Sequence, residues 1–432
     1  MASLRPAVRS PLRSAIRSAV RVYGRAVPFV SDGDSNSQAW LGEPLPHPWP
    51  EYTRPLPIAN NAVGNTRLVE GVNPLIDRIA GDLALSPEAI AITWGGNDIR
   101  EYIGTDGLTT AQCISRMKED LLTVSKLCID AGVGLVISTL HQLGDAYEDA
   151  WIPNYGAPWT TNQVAVEGMI DDINDWVLLI EGPLTWLVAD IRSILDDPTR
   201  STGDRGMYPA MQHEGFGGHW NSSASVLIAG VFQEALSRVT APNPQEFSFD
   251  GNGYIRVTGW QPNGAKATTV QFTSSQKDDS TNQNPFGTFT ASVPQFALQY
   301  LAGANADANL FFPASIGNNP IVLTTRTEDV DYPHEITWPA NTGNITIEID
   351  PIRTLTSGTK RGTVNGTEDF IIGAQTVFSS YGSFWRGVVK DIRIYEDGYL
   401  VHDIAVNDGA GQILDRITGD YYTLTAGSGS WV

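Results

Sequence analysis

The feature that most constrains the fold of this chain is a change of texture at "TAPNPQE", Thr240 to Glu246. Before it, from Val27 to about Val239, short apolar runs alternate with longer helical patterns. The runs are "VPFV", "AIAITW", "GLVIST" and "TWLVADI"; the helical segments include "NQVAVEGMIDDINDWVLLIEG" and "SASVLIAGVFQEALSRV". Parallel strands need crossover connections, and the crossover helices bury both faces of the sheet, so near-continuous apolar strands separated by helices point to a parallel sheet. A three-layer α/β domain is expected over residues 27–240. After the seam Thr, Gly and Asn dominate, with β-branched and aromatic residues at alternate positions, as in "GNITIEIDPI" and "VVKDIRIYEDGYLVHDIAV". Alternation gives each strand one buried and one wet face, and Asp397-Gly398 between two such runs is a two-residue hairpin signal. Residues 241–432 are expected to form an all-β jelly-roll sandwich. Pro242 and Pro244 break the preceding helix and suit a short stiff linker.

Two domains of roughly 200 residues each are natural for 432 residues, and neither is short of core. Hydrophobic residues make up 41% and charged residues 18%, with no apolar run long enough for a membrane span. The formal net charge of −20 argues against nucleic acid as a main partner. Cys113 and Cys128 both fall in "TTAQCISRMKEDLLTVSKLCID", which reads as one helix from the spacing of Ile114, Met117, Leu121 and Val124. Along a helix that separation is about 22 Å, too far for a disulfide, so both are expected as free core thiols.

The first 25 residues carry six arginines and no acid, which leaves the remainder more acidic than the total. Arg5, Arg9, Arg13, Arg17, Arg21 and Arg25 recur every four residues, each preceded from Arg9 to Arg21 by Val8, Leu12, Ile16 or Val20. On a helix this makes a basic stripe beside an apolar one, with Pro6 and Pro11 allowing helix only from about Pro11 onward. Residues 1–26 read as a docking arm that orders on a partner, against the alternatives of a flexible basic tail or a membrane-surface or targeting helix. The segment lacks the continuous apolar centre of a secretory signal.

"FVSDGDSNSQAW", Phe29 to Trp40, follows the first apolar run. A strand ending at Val30 and a turn through Ser31, Asp32 and Gly33 would present Ser35 at the carboxyl edge of the sheet, where ligands bind in open α/β folds. A serine hydroxyl needs a base to take its proton and donors to receive the oxyanion. "NNAVGNTR" offers Gly64, whose bare backbone lets an N–H approach a ligand; "ITWGGNDIR" offers Asn97, a neutral amide donor; "FGGHWNSSAS" puts His219 in a glycine-rich loop before a helix. A calcium loop through Asp32, Asp34, Asn36 and Glu43 fails at Ser37, where the sharp turn needs glycine, and follows a strand instead of a helix. His47, His334 and His402 lack metal-ligand spacing, so no metal and no cofactor is expected.

Taken in order, "GDSNS", Gly64, "GGND" and His219 resemble the four blocks of the SGNH hydrolases, the GDSL-type esterase and acetylesterase superfamily, over roughly residues 27–240. The resemblance implies Ser35 as nucleophile and oxyanion donor, Gly64 and Asn97 as further donors, and His219 as general base. One departure stands out: the family usually has an acid three residues before the histidine, and here that position is Phe216. Glu214, five residues before His219, is the favoured residue to orient the imidazole, with Asp204 and a backbone carbonyl as alternatives. His141, after "GLVISTL", is a spare candidate base, and Trp94 and Trp220, beside Asn97 and His219, are either core packing or sugar-stacking walls.

"EFSFDGNGYIRVTG", "FWRGVVKDIRIY" and a closing Asp415, Gly419 and Tyr422 resemble the laminin-G or concanavalin-like sandwiches appended to phage and secreted surface proteins. The arginine-patterned opening resembles that of bacteriophage tail-associated proteins. These resemblances imply a virion tail fibre or receptor-binding protein, acting at the host cell surface, whose esterase domain removes O-acetyl or similar groups from surface polysaccharide. The implied partners are a host glycan at the active site and sandwich, other tail proteins at the arm, and further copies of the chain, as a trimer by analogy. The alternatives are a binding and structural virion protein with a vestigial esterase domain, and a free bacterial esterase with a carbohydrate-binding module.

Overall fold

The structure, a computed structural model, describes residues 26–38, 48–144, 159–213, 219–243, 247–251, 253–277, 283–290, 293–300, 308–311, 319–321, 329–341, 343–349, 353–360, 369–377, 380–382, 385–405, 412–425 and 429–431. The N-terminal arm, residues 1–25, lies outside them. The chain divides into two compact units, Met1–Pro242 and Asn243–Val432.

The first unit is built on five parallel strands, β1 (Phe29–Gly33), β2 (Ala59–Asn60), β3 (Ala89–Thr93), β4 (Gly134–Ser138) and β5 (Leu187–Ala189), in the order β2-β1-β3-β4-β5. The helices are α1 (Leu75–Ala84), α2 (Gly96–Gly104), α3 (Thr110–Asp130), α4 (Trp159–Leu179), α5 (Arg192–Leu195) and α6 (Ser222–Ser237). Phe29, Ala89, Ala91, Val136 and Ala189 pack in one cluster with Ala224, Ile228, Ala229 and Phe232 of α6. Val30, Ile90, Ile92 and Ile137 alternate with them and are equally buried, so they turn to the opposite face, where α1 meets β1 and α3 meets β4. The sheet is thus covered on both sides in three layers, as its continuous apolar strands require.

β1 runs three residues further than the sequence reading ended it, through Ser31 and Asp32 to Gly33, in register with Thr93 of β3. Gly33 has φ +118°, and a Cβ there would stand 2.2 Å from the Thr93 carbonyl oxygen. Only glycine lets the chain leave β1 so close to its neighbour. α3 begins one residue later than the quoted pattern and is closed by a reciprocal pair between Thr109 and Gln112. Cys113 and Cys128 are buried and free, as expected; burial pushes the Cys128 thiol up to about 12.

The second unit is antiparallel throughout its described pairings. Strand Tyr421–Thr425 pairs with Gln412–Asp415 in one layer and with Tyr254–Val257 in the other. Val270, Phe272, Ile336, Trp338, Ile345, Ile347 and Ile394 from the first layer meet Ile255, Val257, Phe286, Leu298, Phe370 and Ile372 from the second in a single core, so the unit is a sandwich. Along Gly343–Ile349 the burial alternates, with Ile345, Ile347 and Ile349 inside and Thr346 and Glu348 out. Asp397 and Gly398 both take positive φ, 51° and 83°, and join Glu396 to Tyr399 in the hairpin the sequence announces.

Candidate active site

Strand order fixes where a ligand can sit. The connection from β1 leads to β2 on one side and that from β3 to β4 on the other, so the two strand ends diverge and leave a crevice at their carboxyl edge. Ser35 follows β1 and Asn97 opens α2 just after β3, one on each side of this crevice.

The turn after β1 is held by a chain of buried hydrogen bonds. Trp49 Nε1 donates to Ser37 Oγ at 2.9 Å, Ser37 Oγ meets Thr93 Oγ1 at 2.7 Å, and Thr93 Oγ1 donates to Asp34 Oδ1 at 2.8 Å. Asp34 Oδ1 also accepts the Asn36 N–H at 2.9 Å, and the Asp34 carbonyl accepts from Ser37 and Gln38, which closes a single helical turn. These bonds hold the turn that carries the half-buried Ser35. Asp32 points elsewhere: its carboxylate takes the guanidinium of Arg78, and burial raises it to about 7 against that pull. Asp32 and Asp34 therefore serve different partners, and Glu43 lies outside the described residues.

His219 arrives from the far end of the unit. The segment is pinned by an antiparallel bridge between Gln212 and Trp220 and by the His213 N–H donating to the His219 carbonyl at 2.9 Å. Two residues on, Asn221 caps α6 by accepting from Ser223 and Ala224, while its own amide donates to the Ala210 and Gln212 carbonyls. The result places His219 Nε2 2.7 Å from Ser35 Oγ across 184 residues of sequence. Such a contact lets the imidazole take the hydroxyl proton as the oxygen attacks.

Gly64 and Asn97 line the same cavity, of about 210 Å³, together with Asn65, Trp94, Arg100, His141 and Trp220. One N–H of the Asn97 amide donates to the Thr66 carbonyl at 3.1 Å, which fixes the plane of the group and leaves its second N–H as a candidate donor. The Gly64 N–H donates to Gln38 Oε1 at 2.6 Å. Two further bonds tie α2 to the Gly64 loop: Asp98 Oδ1 accepts the Leu68 N–H at 2.9 Å, and Arg100 Nη1 donates to Asn65 Oδ1 at 3.4 Å.

Of the candidates to orient His219, Glu214 lies outside the described residues, as does Phe216. Asp204 is half-buried and bonded to Arg200 at 2.9 Å. Asp34, which sequence reasoning considered only as a calcium ligand, is buried beside Ser35, and His219 is among the groups that act on its carboxyl. Burial raises it, while the Asn36 N–H, the Thr93 hydroxyl and the His219 charge pull it down. Its signal in the sequence was its place beside Ser35; Thr93, Gln38, Asn65 and Arg100 gave none, because their partners lie far along the chain. His141 lines the cavity edge-on to Trp220, with ring centroids 5.7 Å apart. Trp94 and Trp220 are 5% and 4% exposed, so most of each ring is spent in the core. Among the described residues no group of three or more His, Cys, Asp or Glu is placed to hold a metal ion.

No family model matches the sequence, and no curated protein is significantly similar to it. Solved structures are similar in part. A GDSL-like lipase from Bacteroides thetaiotaomicron is 10% identical, covering 53% of this chain and 98% of its own, with a TM-score of 0.36. An acetylxylan esterase from Geobacillus stearothermophilus is 14% identical over 49% of this chain and 95% of its own, with a TM-score of 0.31. Domains LG4-5 of the mouse laminin alpha1 chain are 13% identical over 35% of this chain and 40% of their own, with a TM-score of 0.27.

Proposed function

We propose that the N-terminal unit is an SGNH-type carboxylic-ester hydrolase that removes acetyl or similar small acyl groups from a surface polysaccharide. The observation that carries the reading is the Ser35–His219 contact of 2.7 Å at the divergence of β1 and β3, in a cavity that Gly64 and Asn97 also line. Ser35 Oγ attacks the acyl carbon as His219 Nε2 takes its proton; the oxyanion is received by the Ser35 N–H, the Gly64 N–H and the Asn97 amide. The C–O bond to the alcohol then breaks, and His219 returns the proton to the departing oxygen. Water, deprotonated by the same imidazole, cleaves the acyl-enzyme and restores Ser35. The buried Asp34 carboxylate favours the imidazolium formed in each half-reaction.

In the same reading the chain serves as a phage tail-associated receptor-binding protein. What supports that setting is the arginine repeat of residues 1–25 and a β-sandwich following the hydrolase unit. A host glycan at the cavity and sandwich, tail proteins at the arm and a trimer of chains complete the proposal.

Hydrolysis of p-nitrophenyl acetate by the parent, Ser35→Ala and His219→Ala tests the chemistry. Both substitutions are expected to lower kcat by about 100-fold or more. A Ser35→Ala protein that hydrolyses at the parental rate would overturn it. The second reading, a binding protein without turnover, is favoured by Phe216 in place of the family's acid; glycan binding by a parent protein that turns over no acetylated polysaccharide would establish it.

A further inference from the structure

The Gly64 N–H, one of the three donors the proposed mechanism requires, is engaged in the free protein by a side chain of the nucleophile's own turn. Gln38 Oε1 accepts it at 2.6 Å. A Cβ placed on Gly64 would lie 2.7 Å from Gln38 Oε1 and 3.7 Å from Ser35 Cβ, so Gly64 has the amide oxygen and the serine among its nearest neighbours. A carbonyl oxygen that takes the Gly64 N–H has to displace Gln38 Oε1 from it.

We propose that Gln38 is a stand-in for the substrate carbonyl, an amide oxygen that occupies the Gly64 donor until an ester displaces it. The inference rests on the ester-hydrolase reading above. The physical rationale has two parts. A half-buried N–H left empty costs free energy, and an amide oxygen on it keeps the Gly64 loop in the geometry that receives an oxyanion. A developing oxyanion is roughly twice as strong an acceptor as a neutral amide, so it wins the donor where a weaker acceptor does not. The side chain can leave without disturbing the turn, because Gln38 holds its place through its backbone N–H on the Asp34 carbonyl, 3.2 Å away.

The test compares the parent, Ser35→Ala, Gln38→Ala and Gln38→Met. Methionine keeps the bulk of glutamine and removes the acceptor. Two rates are read: kcat/KM on p-nitrophenyl acetate, and phosphonylation of Ser35 by a p-nitrophenyl alkylphosphonate, followed by intact mass. Releasing the donor is expected to raise both rates in Gln38→Met by about two- to tenfold, the range of one ordinary hydrogen bond. Gln38→Ala should show the same direction. A parent that reacts while both Gln38 variants react at the same rate or more slowly overturns the stand-in role alone and makes Gln38 a positioning residue of the Gly64 loop. An inert parent with a reactive Gln38→Met protein supports the proposal, since the site would then be held closed. Inertness of all the variants towards both reagents overturns the proposal together with the hydrolase reading.

Discussion

The Thr93 hydroxyl is both donor and acceptor inside the nucleophile turn: it gives its proton to Asp34 and takes one from Ser37. Replacing it with valine preserves the shape at a position 2% exposed but leaves a buried carboxylate and a buried hydroxyl each short of a partner. Thr93→Val is expected to destabilise the N-terminal unit by about 1–3 kcal/mol, read as a lower urea midpoint at unchanged m-value, and to lower kcat with it. Thr93→Ser should restore most of both. At this scale the sequence pointed to the groups proposed to react and hid their support. Ser35, Gly64, Asn97 and His219 each stand at a glycine loop or strand exit, a local signal. Thr93 reads as an ordinary strand residue until the fold brings it to Asp34, 59 positions earlier.

At the scale of elements, α2 and the Gly64 loop act as one piece, joined through Asn97 to Thr66, Asp98 to Leu68 and Arg100 to Asn65. The tie through Asp98 is buried, and burial pushes that carboxyl up to about 7; Asp196 is raised to about 7 and Asp120 to about 6 for the same reason. A carboxyl raised above its unfolded value, near 4, holds its proton more tightly in the folded chain. Between about pH 4 and pH 7 these three carboxyls therefore bind more protons in the folded chain than in the unfolded one, and their contribution to stability falls as pH rises through that window. Asp98→Asn keeps the oxygen that accepts from Leu68 and removes the titration. The variant is expected to show a shallower fall in unfolding temperature between pH 4 and pH 7 than the parent; an unchanged slope would mean that Asp98 is ionised throughout. None of this was legible beforehand, because "GGND" marks the start of a helix without saying what its aspartate faces.

At the scale of the whole molecule, the described residues build a core in each of two compact units, Met1–Pro242 and Asn243–Val432. Period-two alternation and the Asp397-Gly398 pair sufficed to read the sandwich, since both are local. Its polar interior was not legible. Asp415, fully buried, receives His402 Nδ1 and the Tyr422 hydroxyl on one oxygen and the backbone N–H groups of Asp403 and Ile417 on the other. Removing that carboxylate leaves several buried groups unpaired at once. Asp415→Ala is expected to cost the C-terminal unit about 3 kcal/mol. Calorimetry should show one of two transitions lowered, with any hydrolysis of p-nitrophenyl acetate by the N-terminal unit kept; a joint shift of both would mean that the units fold as one.

The bridge between Gln212 and Trp220 and the His213–His219 bond close a neck just behind the proposed base. Whatever the chain does between residues 213 and 219, the position of His219 is set by the neck and by the Asn221 cap. For a protein engineer the neck is therefore the part to leave alone: substitutions that keep the Gln212–Trp220 bridge and the Asn221 cap keep the approach of His219 to Ser35.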